Sequence, residues 1–161
     1  MCLPLPLIFL YLNEEKKRTK KAELQATKTI KREAQLKMAL EAGELGVWDW
    51  DIPNDILKIY DETPGLYKDD NHVLTFQPSD LWNKHVRPDD LNSFERGLNS
   101  YLNGDTGLFK SEYRFKRPGE KNHIWITNRG KVIERDENGK PIRLVGIYMD
   151  IDKRKKAEEE L

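Results

Sequence analysis

The run Ile142-Arg143-Leu144-Val145-Gly146-Ile147-Tyr148-Met149-Asp150-Ile151, near the carboxy end of a 161-residue chain, carries two apolar sets. Ile142, Leu144, Gly146 and Tyr148 form one, and Val145, Ile147, Met149 and Ile151 the other, at the two-residue period of a strand. An antiparallel strand with one face in water alternates apolar with polar residues, so this one needs cover on both sides. Three covers are open: the helix preceding Gly43, a helix after Asp152, or the same surface of a second subunit.

Upstream, Asn138-Gly139 is the strongest hairpin signal in the chain and Pro118-Gly119-Glu120 marks another turn. They separate strands predicted over Phe109 to Lys116, Ile124 to Arg135 and Ile142 to Ile151. Pro88-Asp89-Asp90 opens a helix, because proline suits the first turn and the carboxylates face its positive end. Leu91, Phe94, Leu98, Tyr101 and Leu102 then follow at spacings of three and four, giving that helix one buried face. From Asp61 to about Val86, Pro64, Gly65 and Pro78 break the chain into short helices and loops. Earlier still, Val47-Trp48-Asp49-Trp50-Asp51-Ile52 alternates aromatic with acidic residues. Pro53-Asn54-Asp55 turns it into Ile56-Leu57-Lys58-Ile59-Tyr60, an antiparallel hairpin. Two strands, several helices and three more strands make an α+β unit with a five-stranded antiparallel sheet and short helices on one face.

Two segments precede this unit. Residues 14–42 contain neither Gly nor Pro and are rich in Ala, Glu, Lys, Gln and Leu, which predicts a long charged helix ended by Gly43 and Gly46. Its apolar positions follow one stripe only loosely, so a solvated helix and a coiled coil both remain open. Residues 1–13 form an apolar leader. Twelve apolar residues are too few to cross a bilayer, which takes about twenty, and Pro4 and Pro6 are expected to interrupt them. The basic flank Lys16, Lys17, Arg18, Lys20 and Lys21 follows rather than precedes, unlike a secretory signal. The leader thus reads either as the end of a membrane helix with its basic flank in the cytoplasm, or as a disordered or interfacial terminus. On the first reading residues 1–21 contact the membrane and tether a cytoplasmic domain to its inner face.

Charge and cysteine content exclude several classes. The 28 basic and 28 acidic residues cancel, yet residues 1–43 carry nine Lys or Arg against five Glu, leaving the folded part with a net charge of minus four. Nucleic-acid binding needs a basic face, and none is evident. The single cysteine, Cys2, excludes an intrachain disulfide and thiolate-rich metal sites, and fits a reducing compartment. Asp69-Asp70 and Asp89-Asp90 read as solvated loop charges and a helix N-terminus, so no metal site is expected. No nucleophile, base and orienting partner can be assembled, which argues against an enzyme.

The order of elements, with Glu112-Tyr113-Arg114, Trp125, Gly130, Asp136 to Arg143, Gly146 and the closing Asp150-Ile151-Asp152-Lys153-Arg154-Lys155-Lys156-Ala157-Glu158-Glu159-Glu160-Leu161, resembles a PAS domain with its carboxy-terminal PAC-type motif. The resemblance runs from about Leu40 to Leu161. Asp152 stands where the family usually has Thr, and either residue caps a helix. The resemblance implies a PAS-like domain over residues 43–152 and the start of a signalling helix over residues 153–161. It also implies a sensory or relay module of a bacterial histidine kinase or diguanylate cyclase type protein, acting as a homodimer on a downstream effector. If the register follows the family, Asn128 and Tyr148 face inward. Trp125, Val145, Ile147 and Met149 then face outward as a relay and dimer surface, with Asp150 and Asp152 as the exit hinge.

Candidate ligand residues are therefore Asn128, Tyr148, Trp82 and His85. An inward Asn128 and Tyr148 either bond each other or meet a ligand, with mutual or backbone bonding favoured. His85, set among Leu81, Trp82 and Val86, is the one histidine placed to ligate a haem iron. A lone histidine beside apolar residues is more often packed or capping, so haem is not expected. His72 and His123 read as exposed. The light-sensing branch needs a cysteine beside its flavin ring, and Cys2 lies outside the domain, so a covalent flavin adduct is excluded; non-covalent flavin has no positive feature.

Overall fold

The computed structural model describes residues 4–60, 73–104 and 107–161, and the chain divides into two units, Met1–Ala39 and Leu40–Leu161. Cys2, Pro64, Gly65, Asp69, Asp70 and His72 lie outside the described residues. The first unit is helical, and its helix, α1, runs unbroken over Leu5–Ala42. No boundary separates leader from charged helix, and the prolines do not interrupt it. Pro6 sits in the first turn, where an amide hydrogen has no intrahelical acceptor to lose, and the Pro4 carbonyl accepts from the amides of Leu7 and Ile8 at 2.9 and 3.2 Å. The apolar end is exposed, Leu5 at 83% and Phe9 at 69%. Among the described residues no helix is long and apolar enough to cross a membrane.

The second unit is a six-stranded antiparallel sheet with helices, one strand more than expected. Its elements are β1 (Leu45–Asp51), β2 (Ile56–Tyr60), β3 (Val73–Phe76), α2 (Pro78–His85), α3 (Pro88–Leu102), β4 (Phe109–Lys116), β5 (His123–Arg135), β6 (Pro141–Asp150) and α4 (Asp152–Glu159). The sheet order is β3-β2-β1-β6-β5-β4. The extra strand, β3, falls in the stretch expected to hold only short helices and loops. Four residues are too few for periodicity to declare a strand, and pairing with β2, Leu57 opposite Phe76 and Ile59 opposite Leu74, creates it.

β1 begins at Leu45, so Gly46 is a strand residue rather than a helix stop. Its lack of a side chain has a packing reason: a Cβ there would collide with the ring of Tyr148, its partner on β6. The Asn138-Gly139 hairpin forms as predicted, with Gly139 at φ +79°. At the other hairpin, Asp51 holds the turn through the Asn54 backbone and side-chain amides at 3.2 and 2.8 Å.

Alternation sorts the sheet into two faces. Trp48, Leu57, Ile59, Phe109, Tyr113, Phe115, Ile124, Ile126, Leu144 and Tyr148 are buried on the inner face, against Leu81 of α2 and Phe94, Leu98 and Tyr101 of α3. The hydroxyl of Tyr101 ties the end of α3 to the sheet by accepting from the Val132 amide at 3.1 Å. At the other end of α3, Asp90 takes the amide, Nε and Nη2 of Arg114 at 2.9, 2.8 and 2.6 Å. The junction of α2 and α3 is thereby sewn to β4, with the Arg87 amide on the Arg114 carbonyl at 2.9 Å.

Candidate functional site

Between the inner face and the helices lies a cavity of about 50 Å³, lined by residues that include Trp48, Trp50, Trp82, Phe94, Tyr113 and Leu144. Its wall is a succession of edge-to-face rings. Trp50 meets Trp82 at 5.7 Å, Trp82 meets Phe94 at 5.0 Å, and Phe94 meets Tyr113 at 5.0 Å. Pairs of this kind add about 0.5–1.5 kcal/mol each beyond the area they bury. Asn128 Nδ2 donates to the Tyr113 hydroxyl at 2.6 Å, and burial pushes the Tyr113 phenol's pKa up. The buried indole N–H groups of Trp48 and Trp50 have no acceptor among the described residues.

One wall is built from absent side chains. Trp48 on β1 pairs with Gly146 on β6, which pairs with Gly130 on β5. The indole lies across both glycines: a Cβ on Gly130 would come within 2.5 Å of Trp48 Cη2, and one on Gly146 within 2.6 Å of Trp48 Cε2. A residue in β1 thus fills the space of two missing side chains on neighbouring strands.

The outer face carries a different surface. Val145, Ile147 and Met149 are half-buried there and pair with Asp49, Val47 and Leu45. Charged residues frame this apolar centre, with Arg143 on Asp49 at 2.6 Å and Arg129 and Lys131 opposite Ile147 and Val145. Trp125 stands at one end of the face, with Arg114 Cζ and Lys155 Nζ at 5.1 and 5.0 Å from its ring centroid. Here α4 leaves the sheet. Ile151 is buried and its amide donates to the Trp125 carbonyl at 2.9 Å, while Asp152 Oδ1 accepts from the Trp125 amide at 3.3 Å. Asp150 takes the Asp152 amide at 2.9 Å and Arg117 at 2.8 Å. Glu112 of β4 grips Arg154 and Lys155 of α4 at 2.8 and 2.7 Å. The Lys155 hydrogen bond, with Arg154 beside it, lowers the Glu112 pKa; Lys156 does the same to Asp152.

The structure therefore brings Asn128, Tyr148 and Trp82 to the cavity. Asn128 bonds Tyr113, and the Tyr148 ring covers Gly46. His85 is not in the lining. Its ring stacks on Phe115 at 5.2 Å and its Nδ1 lies 2.8 Å from the Lys116 carbonyl, which makes it part of the seam between α2 and β4. His123, expected to be exposed, is half-buried; desolvation, with Arg87, Lys116 and Arg114 nearby, lowers its pKa. Sequence reasoning missed Trp48, Trp50 and Tyr113 as cavity residues. The signal available for the glycine wall was glycine inside predicted strands, which marks a close approach.

The Asp90–Arg114 pair gives a pH-dependent expectation. The Arg114 hydrogen bond holds the Asp90 carboxyl below the ordinary value of about 3.9 despite partial burial. Its stabilisation is therefore complete above that value and disappears as pH falls through the lower native value. Asp90→Asn should cost about 1–2 kcal/mol at pH 7. Urea unfolding at pH 7 and pH 3 checks this: the gap from the parent protein narrows at pH 3, and a gap that widened there would refute the assignment.

The arrangement of a twisted antiparallel sheet, short helices over an aromatic cavity, and a helix leaving the last strand can be set beside known proteins. Residues 73–148 match the PAS fold family. The folded unit has the PAS fold. Over 158 residues the chain is 28% identical to a probable diguanylate cyclase, DgcE, of Escherichia coli K12; the match takes in 97% of this chain and 13% of that protein, so the chain spans a small part of its curated relative. Among the solved structures that share the PAS fold, two come from proteins of this kind. One is a sensory box histidine kinase/response regulator from Burkholderia thailandensis, 23% identical at a TM-score of 0.63, covering 78% of this chain and 91% of the other. The other is the N-terminal domain of a diguanylate cyclase with PAS/PAC sensor from Marinobacter aquaeolei, 17% identical at 0.52, covering 69% and 98%. The chain is thus similar to parts of proteins described as histidine kinases and diguanylate cyclases.

Proposed function

We propose that this PAS domain is a relay module that dimerises through its outer sheet face and passes its signal into α4, toward a downstream effector of the diguanylate cyclase or histidine kinase type. The observation that carries the reading is the half-buried apolar centre of Val145, Ile147 and Met149 on the strand that continues directly into α4. An apolar patch in a charged frame suits a partner with the same surface, and displacement of β6 reaches α4 through Ile151, Asp152 and the Glu112 ion pairs. The domain itself is non-catalytic on this reading. The exposed apolar turns of α1 and the basic residues Lys16 to Lys21 support a cytoplasmic module held near the inner face of a membrane. Ile147→Glu places a charge at the centre of the patch and should weaken the dimer at least tenfold (about 1.4 kcal/mol). Light scattering across a dilution series reads this. An unchanged assembly state and melting temperature would overturn the relay reading.

A second reading, a receptor whose cavity holds a small molecule, draws on the two indole donors without acceptors. Native mass spectrometry of freshly purified protein separates the two, since a stoichiometric small molecule favours the receptor and a bare dimer the relay.

A further inference from the structure

We infer that the cavity takes a small neutral molecule with a carbonyl-type acceptor on an otherwise apolar frame, held by the indole N–H groups of Trp48 and Trp50. This rests on the receptor reading and specifies its ligand. The two tryptophans are alternate residues of β1, so both rings project to the inner face, and both line the cavity. Trp48 is only 8% exposed, and neither indole N–H has an acceptor among the described residues. A buried donor without an acceptor carries a desolvation penalty that a bound acceptor removes.

The lining restricts what that acceptor belongs to. Among the described residues it contains no Asp, Glu, Lys, Arg or His, so an ionised ligand would lose its hydration with none of these to replace it. Water is a weaker match: the two indoles satisfy it as an acceptor, but its own two O–H groups then need acceptors within a mostly aromatic and aliphatic lining. Of the polar groups in the lining, Asn128 and Tyr113 are already bonded to each other at 2.6 Å. A carbonyl oxygen, by contrast, accepts from both indoles and has no hydrogen that needs an acceptor in return. Size sets the last limit. A water occupies roughly 10–15 Å³ on the scale that gives this cavity about 50 Å³, so the buried part of the ligand has about three or four non-hydrogen atoms.

Acetone and its hydrocarbon isostere isobutene test this on the full chain. In proton–nitrogen correlation spectra, acetone should move the Trp48 and Trp50 indole signals downfield along one saturable curve. Trp125, on the outer face, should stay still. Affinity will be roughly millimolar, as a four-atom ligand allows, and at least about fivefold tighter than for isobutene. Trp50→Phe, at the less buried of the two positions, should remove one signal and weaken acetone about fivefold more than it weakens isobutene. Equal binding of both probes, or shifts that never saturate, would overturn the inference. A chain that proves monomeric yet binds acetone loses only the relay reading, and a dimer blind to acetone loses only this one.

Discussion

Gly146→Val should lower stability by about 3 kcal/mol or more, seen as a fall in melting temperature of about 12 °C for a domain of this size. The cause is local and double. A Cβ at residue 146 would run into both the Arg129 carbonyl oxygen of β5 and the Trp48 indole. The backbone oxygen cannot retreat without disturbing the β5–β6 ladder, so trimming Trp48 relieves only part of the cost. Gly130 is the informative contrast. Its Cβ would meet the Trp48 ring at 2.5 Å, with the Val145 carbonyl oxygen further off at 3.1 Å. Gly130→Ala should therefore cost about 2 kcal/mol in the parent protein and less than half of that beside Trp48→Leu, a coupling of at least about 1 kcal/mol. Denaturant unfolding of the four proteins in that cycle measures it. Additive costs would mean that the ring does not occupy the glycine wall.

Phe94→Ala should cost about 3–5 kcal/mol. Phe94 is 5% exposed and is the ring on which α3 meets the sheet, with Trp82, Tyr113 and Phe109 at 5.0, 5.0 and 6.1 Å. Its removal takes three ring contacts and opens the existing cavity toward a size that admits a benzene ring. Benzene at roughly five times its dissociation constant should then restore about 1 kcal/mol to the variant and nothing to the parent protein. Urea unfolding with and without benzene reads both parts. A loss below about 1.5 kcal/mol would show that α3 closes over the gap, and the aromatic wall would then not hold the helix in place.

The legibility of this chain follows the length scale of each interaction. The paired apolar sets of β6 announced a strand with two apolar faces, and Tyr148 and Ile147 fall on opposite faces as that alternation requires, with Tyr148 inward as the PAS resemblance implied. The Pro88-Asp89-Asp90 helix start and its buried face at Phe94, Leu98 and Tyr101 were readable for the same reason, since residues three and four apart share a side of a helix. β3 was invisible because its four residues become a strand only by pairing with β2. His85 was misplaced because apolar neighbours in sequence do not tell which cavity wall, if any, a ring joins.

Alternation, capping residues and turn chemistry act within a few residues, and for that reason the amino-acid order alone determined an α+β domain with an antiparallel sheet, its faces and its outgoing helix. Tertiary structure decided what lies between distant residues. Asp90 finds Arg114, Glu112 finds Arg154 and Lys155, and the Trp48 ring comes to rest on Gly146 and Gly130. Each of these contacts depends on which strands become neighbours, and no local pattern encodes that choice. Packing of the helices over that face is what closed an aromatic cavity around the two indoles that alternation had set side by side.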